Sequence, residues 1–279
     1  MTAVGPIAYA GEPGAFAEDA ALAVEGVAPR LAVPGFGEVF AAVDAGRAEL
    51  GVVPIENLVN GTVREILDLL VAHDLRIVGE VVVPVRLCLA ALPGQSVEEI
   101  ERVYSHVQAL GQAEAFLRSR PWTLLSTYNT AGSGKLIADR GERRAAAVLS
   151  PRAAAQYGLE ILVDEIGDVA GNRTRFLVLG PRTVEPLPAP AGAPRRTTLV
   201  FGVRNEPGTL LAALRAFAEE GVNLSRLESR PSRERPWEYV FFADADADAG
   251  EAECIRALEA LRSVATSVRV FGSYARAEG

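Results

Sequence analysis

The chain has 279 residues, 49% hydrophobic, 23% charged and 6% aromatic, with a formal net charge of −8. That length fits one large domain or about two ordinary ones, and a core of this size needs neither disulfides nor a structural metal. The acidic balance argues against nucleic acid or an anionic membrane surface as a partner.

In chain order, Ile7–Ala10 is a short apolar run, followed by Gly11-Glu12-Pro13-Gly14 and a helical stretch from Ala15 that stops at Gly26. Phe40, Ala41 and Val43 sit in a second helix closed by Gly46, and Glu49–Ile55 reads as a buried strand. Val63, Ile66, Leu67 and Leu70, at i, i+3, i+4 and i+7, predict a helix over Thr62–Ala72. Arg76–Val85 and Leu87–Leu92 are β-rich runs. Arg102–Ser105 and Leu124–Tyr128 are short strands, each followed by a helix (Gln108–Arg118, Ala131–Arg140). Ala146–Leu149, Glu160–Ile166 and Phe176–Leu179 complete a strand–helix alternation that predicts an α/β body of parallel sheets with helices on both faces. Ligands in such folds bind where the carboxyl ends of strands meet helix N-termini.

Pro181–Arg196 carries five prolines and no apolar period. Such a segment has no face to bury and reads as a semi-rigid linker. Beyond it come a strand (Thr197–Arg204), a helix (Gly208–Gly221), two strands (Asn223–Arg230, Trp237–Asp244), a helix (Glu251–Leu261) and a strand (Ala265–Phe271). This βαββαβ order is ferredoxin-like, a pattern shared by many functions.

Cys88 and Cys254, far apart in apolar or helical stretches, read as buried thiols of a reducing cytosol. With only His73 and His106 present, no metal site is expected. Met1–Pro6 shows neither a basic start nor a long apolar run, and Val81–Leu92, broken by Pro84 and Arg86, is shorter than the ~18 residues of a membrane span. A cytoplasmic protein is expected. Gly132-Ser133-Gly134-Lys135 resembles the end of a phosphate loop, but Asn129 holds the upstream glycine position and Leu136 that of the magnesium-binding hydroxyl. Gly35-Phe36-Gly37 lacks a third glycine and follows no predicted strand, so no dinucleotide site is expected either.

Three polar clusters end apolar strands. Glu56-Asn57 follows Pro54-Ile55, and Asn60 reads as an N-cap to the next helix. Ser105-His106-Val107-Gln108 spans a strand end and a helix start, where Ser105 reads as a cap and His106 as a satisfied buried group. Asn172-Arg173-Thr174-Arg175-Phe176 enters the last strand of the body. Each has an ordinary structural explanation as well as a functional one.

Taken in order, these segments resemble the prephenate dehydratases and the related arogenate dehydratases. The matching stretches are Ala8-Tyr9-Ala10-Gly11 with Pro13-Gly14-Ala15-Phe16, Pro54-Ile55-Glu56-Asn57 with Gly61, Asp68-Leu69-Leu70, and Ser105-His106 with Gln108-Ala109-Leu110. Asn129-Thr130-Ala131-Gly132, Ala153-Ala154 with Tyr157-Gly158-Leu159, and Asn172 with Thr174-Arg175-Phe176 follow. Residues 197–275 resemble an ACT regulatory domain through Pro207-Gly208-Thr209-Leu210 and Glu228-Ser229-Arg230-Pro231. The resemblance implies a catalytic domain over residues 5–181, with two periplasmic-binding-protein-like lobes (about 5–80 with 167–181, and 81–166). A linker over 182–196 and an ACT domain over 197–275 would follow.

The implied activity is conversion of prephenate to phenylpyruvate with loss of carbon dioxide and water, a step of L-phenylalanine biosynthesis that needs no cofactor. Thr174 is the implied hydrogen-bond donor to the departing hydroxyl. Asn57 and Gln108 are neutral donors, and Glu56 orients its neighbours. Thr130, Arg175, Ala15 and Phe176 would bind substrate. Gly208, Thr209, Leu210, Glu228, Ser229 and Arg230 would bind L-phenylalanine as a feedback effector between paired ACT domains, in a homodimer or homotetramer. The chain departs from the family pattern at Leu58 (usually Ser or Thr), Val107 (usually Pro), Ala113 (often Cys) and Thr209 (usually Ala). Arogenate dehydratase, or an amino-acid sensor without activity, remains an alternative.

Overall fold

The computed structural model describes residues 5–24, 28–231 and 239–277; the described residues of 5–69 with 81–177 form one compact unit and those of 70–80 with 178–277 another. The first begins with β1 (Ile7–Ala10), α1 (Phe16–Val24), β2 (Arg30–Val33), α2 (Phe36–Asp44), β3 (Leu50–Asn57), the two-residue β4 (Gly61–Thr62) and α3 (Arg64–Ala72). The strand β5 (Leu75–Pro84) runs out of the second unit into the first. A second lobe of the first unit contains β6 (Cys88–Ala91), β7 (Arg102–Ser105), α4 (Val107–Gln112), α5 (Glu114–Arg118), β8 (Thr123–Ser126), α6 (Thr130–Arg140), β9 (Ala145–Leu149), α7 (Pro151–Gln156) and β10 (Glu160–Val163). The chain then returns as β11 (Arg173–Pro181).

The first sheet has the order β2-β1-β3-β11-β5, with β1 parallel to β2 and β3, and β4 antiparallel to β3. The second has the order β10-β6-β9-β7-β8. Its β7 is parallel to β8 and β9, whereas β6 is antiparallel to β9 and β10, so the body is mixed rather than all parallel. Every residue of β9 is buried, because apolar clusters lie on both faces of its sheet: Ala147 and Leu149 with Ile137 on one, Ala146 and Val148 with Val103 and Leu117 on the other. Continuous apolar runs are what a strand covered on both faces requires.

The second unit carries the tail elements: β12 (Arg195–Gly202), α8 (Thr209–Ala218), β13 (Leu224–Pro231), β14 (Tyr239–Ala245), α9 (Ala252–Val264) and β15 (Ser267–Ala275). The sheet order β13-β14-β12-β15 and two helices packed on Leu199, Phe201 and Ala243 give the ferredoxin-like βαββαβ fold expected. Both cysteines are free and buried.

Several local expectations need correction. The proline-rich segment is not free of contacts: within the second unit the Leu187 N–H donates to the Val78 carbonyl at 2.8 Å and its half-buried side chain packs on Gly79. One leucine between prolines has no period to reveal it. The helix expected from Thr62 starts at Arg64, because Gly61–Thr62 pair with Glu56 and Asn57 as β4. Asn60 therefore does not cap it; its own N–H donates to Asn57 Oδ1. The helix expected over Gln108–Arg118 is two helices broken at the buried Ala113, where φ is −120°. The strands β2 and β4 and the helix α7 were not expected, each being too short to show a period. The end of the first helix at Gly26 and the strand start at Trp237 lie outside the described residues.

Candidate active site

Two neighbouring strands of the first sheet, β3 and β11, set the polar centre of the site. The Asn57 amide donates from Nδ2 to Thr174 Oγ1 at 2.9 Å, Asn172 Oδ1 at 3.0 Å and the Arg173 carbonyl at 3.2 Å. Its Oδ1 accepts the N–H groups of Val59 and Asn60, both at 3.0 Å, so the tight turn into β4 and the orientation of the amide are one arrangement. All three side chains, Asn57, Asn172 and Thr174, are buried. Because Thr174 Oγ1 accepts from the amide, its own proton is left to point elsewhere, and Thr174 lines an open cleft of about 700 Å³. Phe176, two residues on along the strand, lines it too. Arg175 lies between them in sequence and is not among the lining residues. It pairs with Glu56 at 3.1 Å, and neither of these two reaches the cleft wall.

The second lobe contributes through helix starts. Ser105 is buried at the end of β7 and its Oγ donates to the Val148 carbonyl at 2.6 Å, so it is not the cap. His106 is: its Nδ1 accepts the Gln108 N–H, and burial pushes the imidazole pKa below its ordinary value. Both facts favour the neutral ring. His106 and Gln108 line the cleft, and the Gln108 side chain is exposed in it. Asn129 caps α6 by accepting the Gly132 N–H at 2.9 Å, which places Thr130 at the helix start on the cleft wall.

The starts of α1 (Ala15, Phe16), α2 (Gly35, Phe36), α3 (Thr62, Arg64), α4 (Gln108) and α6 (Thr130) all line this one cavity. Each presents the positive end of a helix dipole, with first-turn N–H groups that caps in part already occupy (Gln108 by His106, Gly132 by Asn129), so the cleft suits an anion despite the chain's net negative charge. The start at α2 and the side chains Arg64, Tyr128 and Ser150 were not singled out in the sequence, whereas the helix start near Gly61 was expected to supply positive potential. The run Arg30–Val33 ahead of Gly35-Phe36 was the available signal for the first of these, since it is a strand and α2 follows it directly.

A clasp joins the two lobes beside the cleft. Ser150 Oγ donates to the Gly14 carbonyl at 3.1 Å, the Tyr157 hydroxyl to the Pro13 carbonyl at 2.7 Å, and Glu12 receives Tyr128 and Lys135, each at 3.0 Å. Arg152 pairs with Glu18 at 2.7 Å and with Asp19. Gly14 has φ +88°, and a Cβ there would stand 2.8 Å from the Ala153 Cα. The Gly132-Ser133-Gly134 run lies buried inside α6 and is helix packing, not a phosphate loop. Burial pushes the Cys88 thiol up to about 12, which removes it as a nucleophile. Leu58, 65% exposed, is not on the cleft wall, so its missing hydroxyl removes no lining group. Among the described residues no cluster of His, Cys, Asp and Glu could hold a metal, and no helix is long and apolar enough to cross a membrane.

The family model of prephenate dehydratase matches residues 7–184, about two thirds of the chain, and that of the ACT domain matches residues 197–263. The chain belongs to the prephenate dehydratase family. It is 36% identical over 274 residues to the bifunctional chorismate mutase/prephenate dehydratase of Aquifex aeolicus, covering 97% of this chain and 74% of that protein. It is also 36% identical over 282 residues to arogenate dehydratase/prephenate dehydratase 1 of Arabidopsis thaliana, covering 96% and 71%. The crystal structure of prephenate dehydratase in complex with L-Phe from Arthrobacter aurescens matches 98% of this chain and 90% of its own, with a TM-score of 0.88 and 34% identity.

In the ACT unit, Gly208 (φ +87°) precedes α8, and the Thr209 hydroxyl lies 2.6 and 2.9 Å from the carbonyls of Arg204 and Glu206. Leu210 packs against the unit's core. Glu228 and Arg230 on β13 are half-buried and oppose Phe242 and Val240, while Ser229 between them is exposed.

Proposed function

We propose that this chain is a prephenate dehydratase whose reaction runs in the cleft at Thr174. The observation that carries the reading is the Asn57–Thr174 hydrogen bond at the wall of a cavity lined by five helix starts. In the reaction the bond from the ring to its carboxylate breaks and carbon dioxide leaves. The released electron pair moves through the diene and expels the 4-hydroxyl, which takes up a proton and departs as water. Aromatisation drives the step. Thr174 is too weak an acid to transfer its proton outright at rest. A hydroxyl that already accepts from an amide is a better donor, and its bond to the leaving oxygen strengthens as negative charge grows there.

Asn57 positions that hydroxyl. Gln108 and Thr130 supply neutral donors, and the helix starts at Ala15 and Thr130 hold carboxylates without adding a titratable charge. Phe176 offers an apolar wall to the ring. Glu56 and Arg175, paired with each other, act as a structural brace that fixes β3 against β11.

Regulation by L-phenylalanine at Gly208–Leu210 and Glu228–Arg230, between ACT domains of a dimer or tetramer, completes the reading, supported by the L-Phe complex of the Arthrobacter relative. Two free buried thiols fit a cytoplasmic enzyme. Arogenate is the second substrate to weigh, since the Arabidopsis relative carries both names.

The test is turnover of purified protein on prephenate and on arogenate, followed by appearance of the aromatic product, with Thr174→Ala as control. Prephenate turnover that falls by about 10²–10⁴ in kcat in the variant is the expected result. Turnover of neither substrate by the wild type would overturn the enzyme reading.

A further inference from the structure

Among the described residues lining the cleft, Arg64 is the one lysine or arginine. It is exposed and occupies the first position of α3. Its placement is tied to the reacting centre: Gly61 and Thr62 pair with Asn57 and Glu56, and the Val63 N–H donates to the Ile55 carbonyl at 2.9 Å. The residue that holds Thr174 therefore also fixes the turn from which Arg64 projects.

The other ionisable side chains on the wall are Glu65, His106 and Tyr128. Burial holds His106 towards its neutral form, and burial together with the Glu12 contact holds Tyr128 in its protonated form. Arg64 and its neighbour Glu65 are thus the cationic and the anionic side chain of the wall. Backbone N–H groups at helix starts bind a carboxylate in either candidate substrate and discriminate poorly between them. Prephenate and arogenate differ by the keto group that arogenate replaces with an ammonium. A fixed cation attracts the keto dianion and disfavours the ammonium; an anion does the reverse.

We infer that Arg64 is a specificity residue that biases the cleft towards the doubly anionic keto acid and against its amino analogue. The inference rests on the dehydratase reading above. Arginine suits the task because its planar fork can take both oxygens of one carboxylate.

The experiment is kcat and KM for both substrates, at low and high salt, for the wild type, Arg64→Gln and Arg64→Lys. Both replacements are good helix formers at an exposed position. Arg64→Gln is expected to lose about tenfold in kcat/KM on prephenate, mostly through KM, and no more than about twofold on arogenate. Its prephenate kcat/KM should depend less steeply on salt, while Arg64→Lys keeps most of that dependence. An unchanged preference, an equal loss on both substrates, or a loss confined to kcat would overturn the inference while leaving the dehydratase reading standing. A wild type inert on both substrates would overturn the two together.

Discussion

A threonine hydroxyl has one proton to give, and the neighbour that occupies its oxygen decides where that proton goes. Asn57 Nδ2 sits 2.9 Å from Thr174 Oγ1 and directs the proton away from the sheet. Thr174→Ser keeps the hydroxyl and should retain far more activity than Thr174→Ala, which a steady-state assay on both variants will measure. His106 gives a second residue-scale expectation. Burial lowers its pKa in the folded protein, so the unfolded chain takes up a proton that the folded one resists. Stability is then full above the ordinary histidine value and falls as the pH drops through it. Urea midpoints taken between about pH 7.5 and about pH 5.5 should decline in the wild type and decline less in His106→Gln. Equal slopes would show that another group is responsible.

At the scale of elements, the site is a meeting of helix starts, and the Gly11–Gly14 turn holds the two lobes in the register that brings them together. At Gly14 the obstacle is backbone: φ is +88°, and a side chain would collide with the backbone of Ala153 in α7. Gly14→Ala is expected to cost about 1–3 kcal/mol of stability and to reduce kcat/KM on prephenate by separating the N-termini of α1 and α6. Thermal unfolding and kinetics on the one variant check both parts. A variant with wild-type melting and wild-type kinetics would mean that the clasp bears no load. Helix starts are poorly legible in a sequence whenever the preceding strand is short. Arg30–Val33 alternates exposure along four residues and carries an arginine, so α2 looked unattached, although its first residues line the cleft.

For the whole molecule, the expected readout is feedback. L-phenylalanine should inhibit turnover and raise the melting temperature. A ligand at about 100 times its Kd adds about 2.7 kcal/mol to the stability of the state it binds. Gly208 takes φ +87° where α8 begins, a conformation in which any other residue is strained. Gly208→Ala should raise the half-inhibitory concentration of L-phenylalanine by about tenfold, with uninhibited turnover intact. Inhibition unchanged in this variant would move the effector site away from the α8 start.

The α/β body and the βαββαβ tail were legible in the sequence because each rests on a repeated local signal: strand-length apolar runs alternating with helical periods. The polar clusters at Asn57, Gln108 and Thr174 were visible for a related reason, since they lie where apolar strands end or begin, while Thr130 came in only through the family resemblance. What the sequence did not carry is direction. Thr174, Arg175 and Phe176 are consecutive, yet strand alternation faces the first and third into the cleft and pairs the second with Glu56. Arg64 carried no signal in the sequence, and only the pairing of β4 with β3 ties its turn to Asn57. Proline-rich spacing hid the docking of Leu187 on β5 in the same way. Local chemistry fixes which element forms and which residues require satisfaction. Which of those residues share a cavity depends on contacts across 50 to 100 or more positions, such as the 117 that separate Asn57 from Thr174, and only the folded chain brings them together.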